Sequence, residues 1–158
     1  MPGGDYRRYL MERTPDHPVW LLSYGSNMSG QRLAQRIGPA LDACAFRLTG
    51  YALAFNKEGG KANMMRSPEA SLPVVAWRVR QDQLARMDAY EGEPDHYIRL
   101  GITASLAGEG VLMQTYLANP DRLAPEAVPD AGYLAHLLAG YAEHGFDEAE
   151  LLRRWRLT

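Results

Sequence analysis

The chain contains 158 residues, with 17 Lys and Arg against 19 Asp and Glu, so its formal net charge at pH 7 is −2. This length is enough for one domain with its own apolar core, and the balanced charge excludes a broad basic surface for nucleic acid or an anionic membrane. Cys44 is the single cysteine, and no apolar run has the length of a membrane span or the pattern of a signal peptide. We therefore expect a soluble, cytoplasmic protein that acts on a small molecule and binds neither nucleic acid nor membrane.

The first 18 residues contain three prolines, two adjacent glycines and scattered charges. This composition predicts an N-terminal tail, to which we assign no function. We expect a single domain over residues 19–158.

An apolar run over residues 19–22 predicts a buried strand, and residues 31–37 predict a short helix. The loop that joins them begins with Tyr24, Gly25, Ser26, Asn27 and Met28. Glycine tolerates positive φ, and serine and asparagine favour turns and helix caps. Such a loop can direct several backbone N–H groups to one place beside the positive end of the helix dipole, which suits a carboxylate or a phosphate. The alternative is a strand that simply turns into a helix.

Three more strands are predicted before the middle of the chain. They cover residues 41–46, 51–55 and 72–79, and the last of these is rich in β-branched and aromatic residues. Residues 56–70 are mostly polar and predict a long loop with a short extended piece at residues 62–65. Lys57, Lys61 and Arg66 in this loop indicate either contacts with an acidic substrate or, as we favour, a solvated surface.

The second half of the chain predicts three helices and a hairpin. Residues 81–90 predict a helix that ends at Gly92, and residues 96–104 and 111–117 predict a β-hairpin. Residues 130–144 predict a longer helix, and Asp147 with Glu150 resembles a capping box at the start of a last one.

Glu91 has an unusual position for a carboxylate. It continues the apolar face formed by Leu84 and Met87, and it lies at the C-terminal end of the predicted helix, where partial negative charge disfavours an acid. Burial, the helix dipole and nearby acids would all raise the pKa of Glu91 toward the range of a general acid and base near neutral pH. The alternative is a solvated acidic turn over residues 91–95.

Three ordered motifs carry a family resemblance. The loop Tyr24-Gly25-Ser26-Asn27-Met28 follows the first strand, Asp88-Ala89-Tyr90-Glu91-Gly92 ends a helix ahead of Tyr97, and Tyr133 opens a later helix. Together they resemble the γ-glutamylcyclotransferases, from about residue 19 to residue 155. The resemblance implies an α+β fold, a small, closed, mostly antiparallel β-barrel with flanking helices.

The resemblance also implies a reaction and its residues. Members of the family release 5-oxoproline from a γ-glutamyl compound, because the substrate's α-amine attacks its own γ-amide carbonyl, and they need no metal or cofactor. By resemblance Glu91 is the general acid and base, and the loop binds the substrate through Tyr24, Gly25, Ser26, Asn27 and Met28. Tyr97 and Tyr133 would orient the glutamyl group. Val74 stands where the family usually has glycine, and it either narrows the pocket or fills the barrel.

Two alternatives remain open from the sequence. One is a binding module that keeps the pocket and has lost turnover, and the other is an amide hydrolase that uses water. Ser26 does not lie in a Gly-x-Ser-x-Gly elbow, and the four histidines have no paired spacing typical of metal ligands, so serine and metal catalysis fit less well.

Overall fold

A five-stranded sheet organises the fold in the computed structural model, which describes residues 17–155. Its strands are β1 (Val19–Ser23), β2 (Asp42–Lys57), β3 (Lys61–Val79), β4 (Tyr97–Leu106) and β5 (Glu109–Ala118). They lie in the order β2-β3-β1-β5-β4, and all neighbours are antiparallel except β1 and β5, which pair in parallel at Leu21 and Gln114. Residues 1–16, which form most of the predicted tail, lie outside the described residues.

The sheet is open, so the expected closed β-barrel is wrong, whereas the α+β class is confirmed. β2 and β4 are the two edges, and no strand pairing joins them within residues 17–155. Closure requires edge strands to pair along their length. The first part of β2 is instead mostly exposed, as suits an edge. Residue patterns predict which segments are strands but leave open which strands become neighbours. The closed barrel was therefore expected only from the family resemblance.

β2 and β3 form one long hairpin, and the predicted polar loop over residues 56–70 is wrong for most of its length. β2 merges two predicted strands through an irregularity at Gly50, whose φ is 91°. β3 continues through the polar residues and pairs with β2 from Lys61 to Arg78. Most of these polar side chains lie at the surface, although Lys57 and Asn63 are buried, and the backbone groups complete the ladder, so composition alone mistook a strand for a loop.

Four helices pack around the sheet: α1 (Gly30–Ile37), α2 (Gln81–Glu91), α3 (Ala131–Glu143) and α4 (Glu148–Leu152). The bounds of α1, α2 and α3 agree with the predicted helices within about a residue, and α4 begins directly after the predicted cap Asp147 and is followed by a 3-10 turn, Arg153–Trp155. Ser29, Asp130 and Asp147 cap three of them by accepting hydrogen bonds from backbone N–H groups of the first turns. Gly92 ends α2 in the left-handed conformation, with a φ of 65°.

Candidate active site

The loop after β1 is a buried structural unit. Ser26–Met28 form a 3-10 turn, and the Trp77 indole on β3 donates a 2.9 Å hydrogen bond from Nε1 to the Asn27 carbonyl. Gly25 does not use positive φ; its backbone has φ −118°. A Cβ there would lie 3.2 Å from the Ala62 Cβ, so the close approach of β3 favours glycine at this position.

Helix α3 presses on the same turn from the other side. A Cβ at Gly140 would lie 2.6 Å from the Met28 Cβ and 3.0 Å from the Ser29 backbone nitrogen. The Glu143 carboxylate accepts hydrogen bonds at 3.2 and 3.1 Å from the Gly30 N–H, at the positive end of α1. The turn is therefore fixed between β3 and α3, and the Met28 side chain is fully buried in the core.

Glu91 comes to this turn from the end of α2. The Asn27 Nδ2 donates to Glu91 Oε1 at 2.8 Å and also lies 3.4 Å from the Met87 sulfur. Burial raises the pKa of Glu91 above its ordinary 4.5, while Arg36, the Asn27 hydrogen bond, Arg32 and Lys57 act in the opposite direction.

A cavity of about 430 Å³ lies between the turn and the end of α2. It is lined by the predicted site residues Tyr24, Gly25, Ser26, Asn27, Glu91, Tyr97 and Tyr133. The structure thus brings together seven of the eight residues expected at the site. Met28 does not line the cavity, since its side chain packs toward α3. Val74 is fully buried in the core and also lies outside the cavity lining, so it does not narrow the pocket.

Tyr97 and Tyr133 both bind the backbone of Ala62 on β3. The Tyr97 hydroxyl donates to the Ala62 carbonyl at 2.7 Å, and the Ala62 N–H donates to the Tyr133 hydroxyl at 3.0 Å. Burial raises the pKa of Tyr133 to about 12 and that of Tyr97 further. Both phenols are therefore neutral at physiological pH, with their rings fixed at the cavity wall.

Four cationic side chains line the cavity together with Glu91, which is the only carboxylate among the described residues of its lining. Arg32 and Arg36 on α1 lie beside the turn, where Arg32 Nε donates to Ser26 Oγ at 3.1 Å and Arg36 contacts Asn27 Oδ1 at 3.5 Å. Lys57 and Lys61 enter from the β2–β3 hairpin. Within residues 17–155 none of the four forms a salt bridge with a carboxylate. The cavity is thus positively charged and suits an anionic ligand.

A comparison with protein families matches residues 21–135 to the model described as gamma-glutamyl cyclotransferase, AIG2-like. The matched segment is more than half of the chain and contains every residue named above at the cavity. The chain belongs to this family.

Relatives in the gamma-glutamyl cyclotransferase family are distant in sequence. The gamma-glutamylcyclotransferase of Mus musculus is 26% identical over 137 residues, which cover 80% of this chain and 71% of that protein. The Homo sapiens protein of the same name is 27% identical over 143 residues, covering 83% and 74%. A solved structure named gamma-glutamyl cyclotransferase superposes with a TM-score of 0.76 at 22% identity, over 90% of this chain and 89% of that one. The fold is therefore shared with that structure.

Sequence patterns missed the arginines and misjudged the lysines of this family member. Arg32 and Arg36 are four residues apart on a predicted helix, so their side chains lie on the same helix face. This spacing could have predicted a cationic surface beside the loop, but only in combination with the loop's predicted preference for an anion. Lys57 was expected on a solvated loop, yet it is only 7% exposed. Arg66 does not line the cavity and instead lies 5.7 Å from the centre of the Tyr51 ring.

Other kinds of site find little support in the described part of the chain. Residues 17–155 contain no group of three or more His, Cys, Asp or Glu side chains arranged to hold a metal ion. Ser26 Oγ is engaged by Arg32, whose terminal nitrogen lies 3.1 Å from His136 Nε2. Among the described helices, none combines the length and apolar character that crossing a bilayer demands.

Proposed function

We propose that this protein cyclises a γ-glutamyl compound, releasing 5-oxoproline and a free amine, with Glu91 as general acid and base. The observation that carries the proposal is the 2.8 Å hydrogen bond between Asn27 and Glu91 at the cavity. It places an acid with a raised pKa beside the glycine-containing turn of the family motif. Family membership supports the reaction class, and the names of the mouse and human relatives agree with it.

The proposed reaction exchanges one C–N bond for another, and proton transfers accompany this exchange. Glu91 takes a proton from the substrate's α-ammonium, and the freed amine attacks the γ-carbonyl carbon. A C–N bond forms to close the five-membered ring, and the γ-amide C–N bond breaks. Glu91 returns its proton to the departing nitrogen, which leaves as an amine. The ring nitrogen loses one further proton, which the released amine takes up to become an ammonium ion.

The turn after β1 would supply the backbone N–H donors that complement Glu91. Hydrogen bonds within the turn use the N–H groups of Met28 and Ser29, whereas the N–H groups of Gly25 and Ser26 donate to no other group within residues 17–155. These two amides would stabilise the substrate carboxylate or the oxyanion that develops at the γ-carbonyl. The cavity of about 430 Å³ would hold the glutamyl chain curled, and such proximity can lower a barrier by about 7–11 kcal/mol in favourable intramolecular cases.

The test is incubation of the full chain with a panel of γ-glutamyl amino acids and amines, with product identification by mass spectrometry. The expected product is 5-oxoproline, formed by the natural sequence and not by Glu91→Gln at equal protein concentration. Free glutamate instead of 5-oxoproline would identify a water-using hydrolase. Binding of the compounds without any product would identify a non-catalytic module, and either result would overturn the proposal.

A further inference from the structure

Asp88 lies in the last turn of α2, three residues before Glu91. Residues three positions apart are neighbours on one helix face. The C-terminus of a helix carries partial negative charge, which disfavours a carboxylate, and the last turn of α2 contains no basic residue to offset it. Asp88 therefore does not stabilise its own helix, and its stabilising contacts lie with other elements.

Two side chains of the β4–β5 hairpin bind this carboxylate. Arg99 on β4 and Tyr116 on β5 are directly opposite each other in the antiparallel ladder, so their side chains lie on the same face. The Tyr116 hydroxyl donates a hydrogen bond to Asp88 Oδ1 at 2.5 Å, and Arg99 Nε forms an ion pair with the same oxygen at 2.9 Å. Within residues 17–155, no other hydrogen bond or ion pair joins α2 to β4 or β5. Asp88 thus provides the polar attachment of the helix end to this hairpin.

Backbone hydrogen bonds couple Glu91 to Asp88. The Glu93 N–H donates to the Asp88 carbonyl at 3.0 Å, and the Gly92 N–H donates to the Ala89 carbonyl at 3.2 Å. This pair of bonds is the Schellman motif that ends many helices. Because Glu91 lies inside the motif, a displacement of Asp88 moves the backbone that carries Glu91.

Tyr116 also contacts the turn after β1. Its carbonyl accepts a 2.6 Å hydrogen bond from the hydroxyl of Tyr24, the residue that opens this turn. Tyr116 therefore binds both parts of the site, the turn through its carbonyl and the helix end through its hydroxyl. The 2.8 Å hydrogen bond from Asn27 to Glu91 completes this ring of contacts.

We propose that Asp88 is a positioning residue for Glu91: anchored by Tyr116 and Arg99, it holds the last turn of α2 so that the Glu91 carboxylate faces the turn after β1. This inference rests on the proposed function, because it assigns a role in the reaction of Glu91. Among the described residues, neither Asp88 nor Arg99 lines the cavity, so both act through Glu91 and not on the substrate. Misplacing a group that transfers protons weakens the transition state more than substrate binding, so the effect arises mainly in kcat.

The first test removes the anchor from outside the cavity and leaves α2 unchanged. Arg99→Met should lower kcat for 5-oxoproline release by about 10–100-fold, with KM changed less than about twofold, since a displacement of 1 Å can cost about 10²-fold in rate. Arg99→Lys keeps a positive charge beside Asp88 and should recover most of kcat. Arg47→Met is the matched control, because it removes an ion pair of similar exposure, with Glu150, outside the cavity. This control should leave kcat unchanged.

The pH profile separates positioning from the loss of a charge. Asp88→Ala should move the acidic limb of kcat/KM toward higher pH, because a displaced Glu91 loses the Asn27 hydrogen bond that lowers its pKa. Removal of a negative charge near Glu91 would by itself move the limb toward lower pH. A purely structural role of Asp88 would leave the limb where it is. The charged side chains that face Glu91 from other elements are retained in this variant: Arg32, Arg36 and Lys57.

Each contrary outcome can be recognised. Unchanged kcat and an unmoved limb in Arg99→Met and Asp88→Ala proteins that circular dichroism shows to be folded overturn the positioning role and leave the proposed cyclisation intact. A loss confined to KM, a limb that moves toward lower pH, or an equal loss in Arg47→Met also overturns it, because each assigns the effect to the cavity wall, to charge or to general destabilisation. Absence of 5-oxoproline with the natural sequence overturns the proposed function, and the inference is overturned with it.

Discussion

Asn27 and Glu91 come from different segments 64 residues apart, and a 2.8 Å hydrogen bond from Asn27 Nδ2 to Glu91 Oε1 joins them. Trp77 holds the Asn27 carbonyl from β3, so the amide that contacts the carboxylate is itself fixed. Burial raises the pKa of Glu91, whereas this hydrogen bond lowers it. Arg36, Arg32 and Lys57 also lower it, and the balance of all these effects sets the pKa of Glu91 and thereby the pH range of its proposed action as a base.

Glu91→Gln should abolish proton transfer while preserving the fold. The glutamine oxygen can still accept the Asn27 hydrogen bond, and its size matches that of glutamate. Loss of a general acid and base should lower the rate of 5-oxoproline release by about 10²–10⁴-fold. Steady-state kinetics provides the measurement, and circular dichroism checks the fold. A folded Glu91→Gln protein with normal turnover would remove Glu91 from its proposed role.

Asn27→Ala should move the acidic limb of the pH profile toward higher pH. In the natural protein kcat/KM should decrease as the pH falls through the pKa of Glu91, which lies above 4.5. Removing the hydrogen bond removes a contact that lowers this pKa, so the limb moves upward. Asn119→Ala serves as the control, because the Asn119 side chain binds Pro94 and Asp121 outside the cavity. An unmoved limb would contradict the assignment of this limb to Glu91.

The stability of Glu91→Gln relative to the natural protein should depend on pH. The raised pKa of Glu91 means that the folded state binds its proton more tightly than the unfolded chain does. Its stabilising contribution is present below the unfolded pKa and is lost as the pH rises through the folded pKa. Glu91→Gln should therefore gain relative stability as the pH rises from the unfolded pKa of the carboxyl through its raised folded pKa, by about 1.4 kcal/mol for each tenfold difference in proton affinity. Urea unfolding at several pH values measures this gain, and a constant difference would refute it.

Gly140→Ala should destabilise the protein through the turn that carries Asn27. The added Cβ would lie 2.6 Å from the Met28 Cβ and 3.0 Å from backbone atoms, so helix or turn must shift. Overpacking of this kind costs about 1–3 kcal/mol. Gly132→Ala is a matched control in the same helix, because its Cβ would meet only Asp130 Oδ1 at 3.5 Å. Chemical denaturation should show a loss for Gly140→Ala alone; equal effects would contradict the tight contact.

Local sequence patterns were sufficient for the parts of the site that one segment determines. The apolar run before Tyr24 and the glycine after Glu91 indicated a strand that ends in a turn and a helix that ends in an acid, and both are present. That the two ends face each other came from family resemblance, since no local pattern reports which segments meet in space. The roles predicted for these residues stay predictions until they are measured.

Long-range features were not predictable in the same way. Lys57 has polar neighbours in sequence, which favoured a solvated loop, but its environment is set by Tyr97 at the start of β4 and by His96 in the turn before it. The extension of β3 through polar residues depends on pairing with β2, because the ladder satisfies backbone groups whatever the side chains are. The open sheet likewise depends on strand order, which the alternation of apolar and polar residues along a strand does not report.

The two antiparallel parts of the sheet, β2-β3-β1 and β5-β4, meet through one short parallel pairing, and side chains connect them more extensively. The connecting bonds run from Tyr24 to the Tyr116 carbonyl, from Thr115 to the Leu22 carbonyl, from Tyr97 to the Ala62 carbonyl, and from the Ala118 N–H to Asn63. Most of these bonds involve residues of the cavity wall. The hydroxyl groups of Tyr24, Thr115 and Tyr97 thus join the two parts of the sheet and also line the cavity, so a substitution that reshapes this wall also weakens the cohesion of the sheet.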